Sequence, residues 1–140
     1  DKNLDIKLKS YIFKSTKKGN TILFYNSSNT KKIKVLEKKG LKLIKTKLNS
    51  ERLLDLKIVL KKLFVLGTRS LLVEGGDKIS KNLIKNRLID TFYLFQSPKI
   101  LRVNKINQGF TSFGILNAKY KKVSKITSKL AKDNITIYKR

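Results

Sequence analysis

The chain has 140 residues, one domain's worth, with 34 basic against 9 acidic side chains and a net charge of +25. It contains no cysteine and no histidine, which excludes disulfides, thiolate or imidazole metal sites, Ser-His triads and any imidazole general base. No apolar run approaches the ~18 residues of a membrane span, and the polar stretch from Asp1 to Lys9 lacks the apolar core of a signal peptide.

The charge admits two readings. It suits a polyanion partner such as nucleic acid. It also suits a coding sequence rich in A and T, because the basic residues are nearly all lysine and come with abundant Ile and Asn. Arginine, the usual residue for base readout and bidentate phosphate contacts, occurs only five times, which favours the second reading. A positive surface would still steer a phosphorylated ligand inward.

Taken in order, Asp1 to Asn20 is polar and punctuated, with one apolar cluster at Tyr11-Ile12-Phe13, and reads as loop with a short extended piece. Thr21 to Tyr25 is an apolar run too short for a helix and reads as a strand. Ser28 or Asn29 can cap the helix that follows, with Ile33 and Leu36 facing inward, a lysine-rich outer face, and Gly40 as its C′ residue. Leu41 to Ile44 is a second short strand. Leu53, Leu56, Val59, Leu60, Leu63 and Phe64 recur at helical spacing, and Gly67 stops that helix.

Leu71 to Val73 reads as a short buried strand ending in Glu74-Gly75-Gly76-Asp77. A helix over 78–88 follows, with Ile79, Leu83, Ile84 and Leu88 on one face and Asp77 as its N-cap. Asp90 to Gln96 is an aromatic-rich strand closed by Ser97-Pro98-Lys99. Arg102 to Gly114 reads as loop, and the tail as two strands, Tyr120–Ser128 and Ile135–Lys139, with a turn near Asp133-Asn134. The order β-α-β-α-β-α-β plus a terminal hairpin specifies α/β architecture: a mixed, mostly parallel sheet flanked by helices, with a C-terminal antiparallel β-hairpin.

The junction at 74–77 is where the chain concentrates its chemistry. A glycine turn lets backbone approach a ligand closely, and the start of a helix offers free N–H donors with partial positive charge. The same sequence also serves as an ordinary strand-to-helix connection, and a carboxylate at the cap would repel a bare anion. Glu74 is the sharper residue. At the carboxyl end of a buried strand its charge must be paired or face a cleft. Neither a G-x-G-x-x-G fingerprint nor a Walker motif is present.

The run Leu71-Leu72-Val73-Glu74-Gly75-Gly76, with Leu83-Ile84, then Leu88-Ile89-Asp90 and Tyr93 to Leu101 with its Pro98-Lys99-Ile100-Leu101 end, resembles a known family. It is similar to the C-terminal reductase domain of the bacterial bifunctional deaminase/reductase of riboflavin biosynthesis. That family shows a strand ending V-E-G-G, a helix, and an L-(V/I)-D-E segment leading to a strand closed by P-K-(L/I)-(L/I). Here Thr91 stands in place of the acid after Asp90.

The resemblance implies a dihydrofolate-reductase-like fold and NADPH-dependent reduction, by hydride transfer, of 5-amino-6-(5-phosphoribosylamino)uracil to 5-amino-6-(5-phosphoribitylamino)uracil, in the cytoplasm. It implies substrate contact by Glu74, and an NADP site along Gly75, Gly76, Asp77, Lys78, Ile79, Ser80, Lys81 and Asn82. It assigns no protein nucleophile and no metal, and hydride transfer needs neither. The family's opening strand, of the type K-x-A-x-S-x-D-G, has no counterpart here. Residues 1–140 therefore read as the C-terminal portion of the reductase domain, with fusion to an upstream deaminase or a homodimer as the expected partner. A basic nucleic-acid-binding module and a pteridine or folate reductase of the same fold are the alternatives.

Overall fold

The computed structural model describes residues 1–16, 20–98, 110–127 and 133–140. The chain divides into two compact units, Asp1–Leu71 and Leu72–Arg140.

The first unit is built on a parallel strand pair, β1 (Ile22–Tyr25) and β2 (Lys42–Lys45), joined by α2 (Thr30–Lys38), with Ile22 opposite Lys42 and Tyr25 opposite Lys45. Parallel neighbours need such a crossover, because a tight turn cannot return the chain in the same direction. Asn29 caps α2, its side chain accepting from the Lys32 N–H at 3.0 Å. Gly40 ends the turn after it at φ +96°, a backbone region that glycine enters without strain. Leu36 is fully buried and packs with Leu4, Tyr25 and Leu41. α3 (Leu56–Val65) follows, capped by Asp55, whose carboxylate accepts from the N–H groups of Lys57 and Ile58. Its start lies three residues later than the periodicity of Leu53 suggests, because Leu54 bridges to Leu48 instead.

The N-terminal stretch holds one core residue that the sequence did not single out, and one expectation for it is corrected. Leu4 lies in the core, held in a left-handed conformation at φ +62°. The cluster Tyr11-Ile12-Phe13 is helical, in α1 (Tyr11–Ser15), with the Ser10 hydroxyl accepting from the Phe13 N–H. A five-residue helix is too short for its periodicity to register.

The second unit contains α4 (Asp77–Lys85), β3 (Thr91–Gln96), α5 (Phe113–Lys119), β4 (Lys122–Thr127) and β5 (Asn134–Lys139). Its three strands form an antiparallel sheet in the order β3-β5-β4, with Leu94 opposite Thr136 and Val123 opposite Tyr138. Directly opposed residues share a face. Phe92, Leu94 and Tyr138 lie on the face that packs with Ile84 of α4 and with Leu116 and Tyr120 around α5. The Tyr120 hydroxyl donates to the Ile89 carbonyl at 2.9 Å, so this buried phenol keeps a partner, and burial pushes its ionisation upward.

The α/β class and the terminal antiparallel hairpin are as expected, but the described strands fall into two sheets, and only β1 and β2 pair in parallel. The apolar run 71–73 is not a strand among the described residues: no backbone ladder joins it, and Leu71, Leu72 and Val73 are 49%, 82% and 41% exposed. Hydrophobicity marks a segment able to pair, but a strand exists only where a neighbour takes its N–H and C=O groups. Phe113 to Lys119, expected as loop up to Gly114, is helical, and Phe110 lies between Phe92 and Phe113, tilted against the first and edge-on to the second, at centroid distances of 5.3 and 5.0 Å. The Lys99-Ile100-Leu101 end of the motif, the stretch up to Gly109 and Ser128 lie outside the described residues.

No described helix is long and apolar enough to cross a membrane. Ile84 is fully buried at the meeting of α4, α5 and the sheet. Ile84→Ala is expected to cost about 2–5 kcal/mol of unfolding free energy through lost contacts and a residual cavity, measured by denaturant titration.

Candidate functional site

The stretch Glu74-Gly75-Gly76 and the first turns of α4 carry the candidate chemistry. Gly76, not Asp77, is the N-cap of α4, with φ −73° and ψ 174°; Asp77 is the first residue inside the helix. The Ile79 and Ser80 N–H groups both turn to the Gly76 carbonyl, at 3.2 and 3.3 Å. The N–H groups of Asp77 and Lys78 have no partner among the described residues. They are the unsatisfied donors that any helix start leaves unless a side chain or ligand supplies an acceptor.

Asp77 does not supply one. Its carboxylate accepts from the Thr111 N–H at 2.9 Å, the Thr111 hydroxyl at 2.6 Å and the Ser112 hydroxyl at 3.0 Å. The Thr111 hydroxyl and amide, with Ser112 behind them, hold the carboxyl below the usual carboxylate range. The N-cap role expected for Asp77 is thus replaced by a clamp between the starts of α4 and α5. Ser112, the N-cap of α5, makes no side-chain cap bond. Thr111 and Ser112 were not legible as site residues, because their link to Asp77 spans more than thirty positions.

The two glycines differ in what they permit. A Cβ at Gly75 would collide with Ile79 Cγ2, and a β-branched residue in a helix has little rotamer freedom with which to yield. A Cβ at Gly76 would meet nothing within 4 Å among the described residues. Gly76 also sits in a conformation open to every residue type. Glycine at 75 is therefore required by the chain's own packing, whereas nothing described in this unit requires it at 76.

Glu74 is exposed rather than seated at the end of a buried strand, since the run 71–73 before it forms no strand among the described residues. Lys78 and Lys81 are exposed on α4, and Ser80 is half-buried. Asn82 accepts from the Asn86 side-chain amide through its own Oδ1, at 3.2 Å, and through its carbonyl, at 2.9 Å. The structure thus gathers Gly76, Asp77 and Lys78 at one helix start, turns Ile79 against Gly75, and places Asn82 one turn further on. Among the described residues no cluster of acidic side chains is arranged to hold a metal ion.

With that geometry established, the comparisons decide the family. The model of the RibD C-terminal domain matches residues 1–132. The chain belongs to this family. The resemblance seen in the Val73-Glu74-Gly75-Gly76 and Pro98-Lys99 segments is borne out. Among solved structures, the chain is similar to a pyrimidine reductase-like protein from Corynebacterium diphtheriae NCTC, with a TM-score of 0.66 and 16% identity. At that identity the likeness shows the fold. The match covers 99% of this chain but 58% of the other, so the RibD C-terminal domain chain described here spans well under two thirds of that protein's length.

Two outcomes follow. Gly75→Ala is expected to lower stability by about 1–3 kcal/mol through overpacking against Ile79, and Gly76→Ala to change it by less than about 0.5 kcal/mol, both read from thermal melts. The Asp77 clamp contributes stability that is present above the ordinary carboxylate pKa and lost as pH falls through the depressed folded value. Melting temperature should therefore fall on acidification below about pH 4 in the parent chain, and less steeply in Asp77→Asn, which cannot titrate.

Proposed function

We propose that the chain forms the cofactor-facing part of an NADPH-dependent reductase acting on 5-amino-6-(5-phosphoribosylamino)uracil. The product is 5-amino-6-(5-phosphoribitylamino)uracil, with the ribose opened and reduced to a ribityl chain. Membership of the RibD C-terminal domain family supports this reading. The observation that carries it is Gly76. Its side-chain position is open and its backbone unstrained, and two N–H groups without described partners follow it at the start of α4. A phosphate-bearing ligand explains a glycine that the described packing does not require, because any side chain there would hold the ligand away from those donors.

Lys78 and Lys81 add positive charge along the same helix, against the Asp77 carboxylate, which its bonds to Thr111 and Ser112 keep ionised and turned towards the start of α5. NADPH, when bound, supplies the hydride. The contribution of the protein is to hold the ring and the acceptor carbon close, aligned and away from water. Glu74 is exposed and makes no hydrogen bond or ion pair with the described residues, which leaves its carboxylate available to orient a polar substrate. It acts by positioning; the reaction assigns it no covalent role.

In the full-length enzyme, Gly76→Val is expected to raise the KM for NADPH about tenfold or more while the melting temperature holds. Glu74→Gln should lower kcat/KM for the pyrimidine about tenfold with the KM for NADPH unchanged. An unaltered KM for NADPH in the first variant removes the cofactor assignment, and unaltered pyrimidine kinetics in the second remove the role of Glu74.

A further inference from the structure

An aspartate in the first turn of a helix can fold its carboxylate back onto the free N–H groups of that turn, as short polar side chains readily do. Asp77 does otherwise. The Asp77 and Lys78 N–H groups have no partner among the described residues. The carboxylate beside them instead takes three donors from a segment 34 and 35 positions further on: the Thr111 N–H at 2.9 Å, the Thr111 hydroxyl at 2.6 Å and the Ser112 hydroxyl at 3.0 Å. Packing fixes those donors in place. Ser112 is buried, Phe110 before it lies between Phe92 and Phe113, and Leu116 anchors α5 in the core. Ser112 is also the N-cap of α5, yet its hydroxyl makes no cap bond there and donates to Asp77.

We infer that Thr111 and Ser112 are positioning residues for cofactor binding: they hold the Asp77 carboxylate off the Asp77 and Lys78 N–H groups, so that both donors stay open to a phosphate. This rests on the reading of Gly76 and the start of α4 as the place where NADPH phosphate binds. The carboxylate remains ionised, so its repulsion of a nearby anion persists. What the clamp removes is its competition for the same donors. Three bonds to Thr111 and Ser112, one of them a short charge-assisted O–H···O contact, outweigh what the carboxylate could gain within its own turn. Released, it would cover the donors, and a phosphate would have to displace an anion already paired with them. Thr111 and Ser112 touch neither cofactor nor substrate in this arrangement; they act through Asp77.

The test compares the full-length enzyme with its Thr111→Val/Ser112→Ala variant, which loses both hydroxyl donors and keeps the carboxylate. NADPH affinity, read by equilibrium fluorescence titration, is expected to fall about tenfold, the effect of about one lost hydrogen bond. In the cofactor-free variant, amide exchange at Asp77 and Lys78 should slow about threefold or more, because the released carboxylate accepts from them. Adding Asp77→Ala should return exchange to the fast rate and recover most of the lost affinity. Unchanged affinity in the double variant overturns the inference, as does affinity that stays low once the carboxylate is removed. Faster exchange across residues 77–80 overturns it too, since that marks a clamp that only braces the turn. Gly76→Val, titrated alongside, separates the two readings. If it binds NADPH as the parent does, the cofactor assignment fails and the role of the clamp with it; a loss there with none in the double variant removes the clamp alone.

Discussion

Backbone N–H and C=O groups must find partners, and in a sheet each strand depends on its neighbour for them. That constraint governs how this chain is organised. β1 and β2 satisfy each other in parallel through the α2 crossover, and β3, β5 and β4 satisfy each other in antiparallel order. Each group of strands has its own buried cluster, around Leu36 in one unit and around Ile84 and Leu116 in the other. Leu71 to Val73 is apolar enough to be a strand and yet pairs with nothing described, so its side chains stay exposed. Among the described residues, the same accounting leaves β3 paired on one edge, by β5.

The turn into α4 shows how neighbouring glycines can serve different ends. Gly75 is glycine because Ile79 occupies the space a Cβ would need, and Gly76 leaves backbone accessible where helix donors are free. Asp77 couples this turn to the start of α5 through Thr111 and Ser112. The carboxylate stays ionised there, with its oxygens accepting from Thr111 and Ser112.

Much of the local structure was legible. The strands at 22–25, 42–45 and 91–96, the terminal hairpin and the Asn29 cap follow from short apolar runs bounded by turn chemistry and from a polar residue ahead of a periodic segment. The V-E-G-G and P-K-I-L segments carried the family. α1 and α5 escaped because helices of five and seven residues are too short to establish a period. Leu4 escaped because a lone leucine in polar surroundings gives no sign that the fold will bury it.

What the sequence determined by itself is the set of pieces: which segments can pair, where helices begin and end, the absence of cysteine and histidine chemistry, and the family. These depend on residue type and on spacing over a few positions. Only the tertiary structure decided which strands found neighbours, that 71–73 has none among the described residues, and that Asp77 bonds to Thr111 rather than capping its own helix. It also decided which of the two glycines the packing requires. Those outcomes depend on residues tens of positions apart, whose meeting is set by which backbone and side-chain groups remain to be satisfied after local structure has formed.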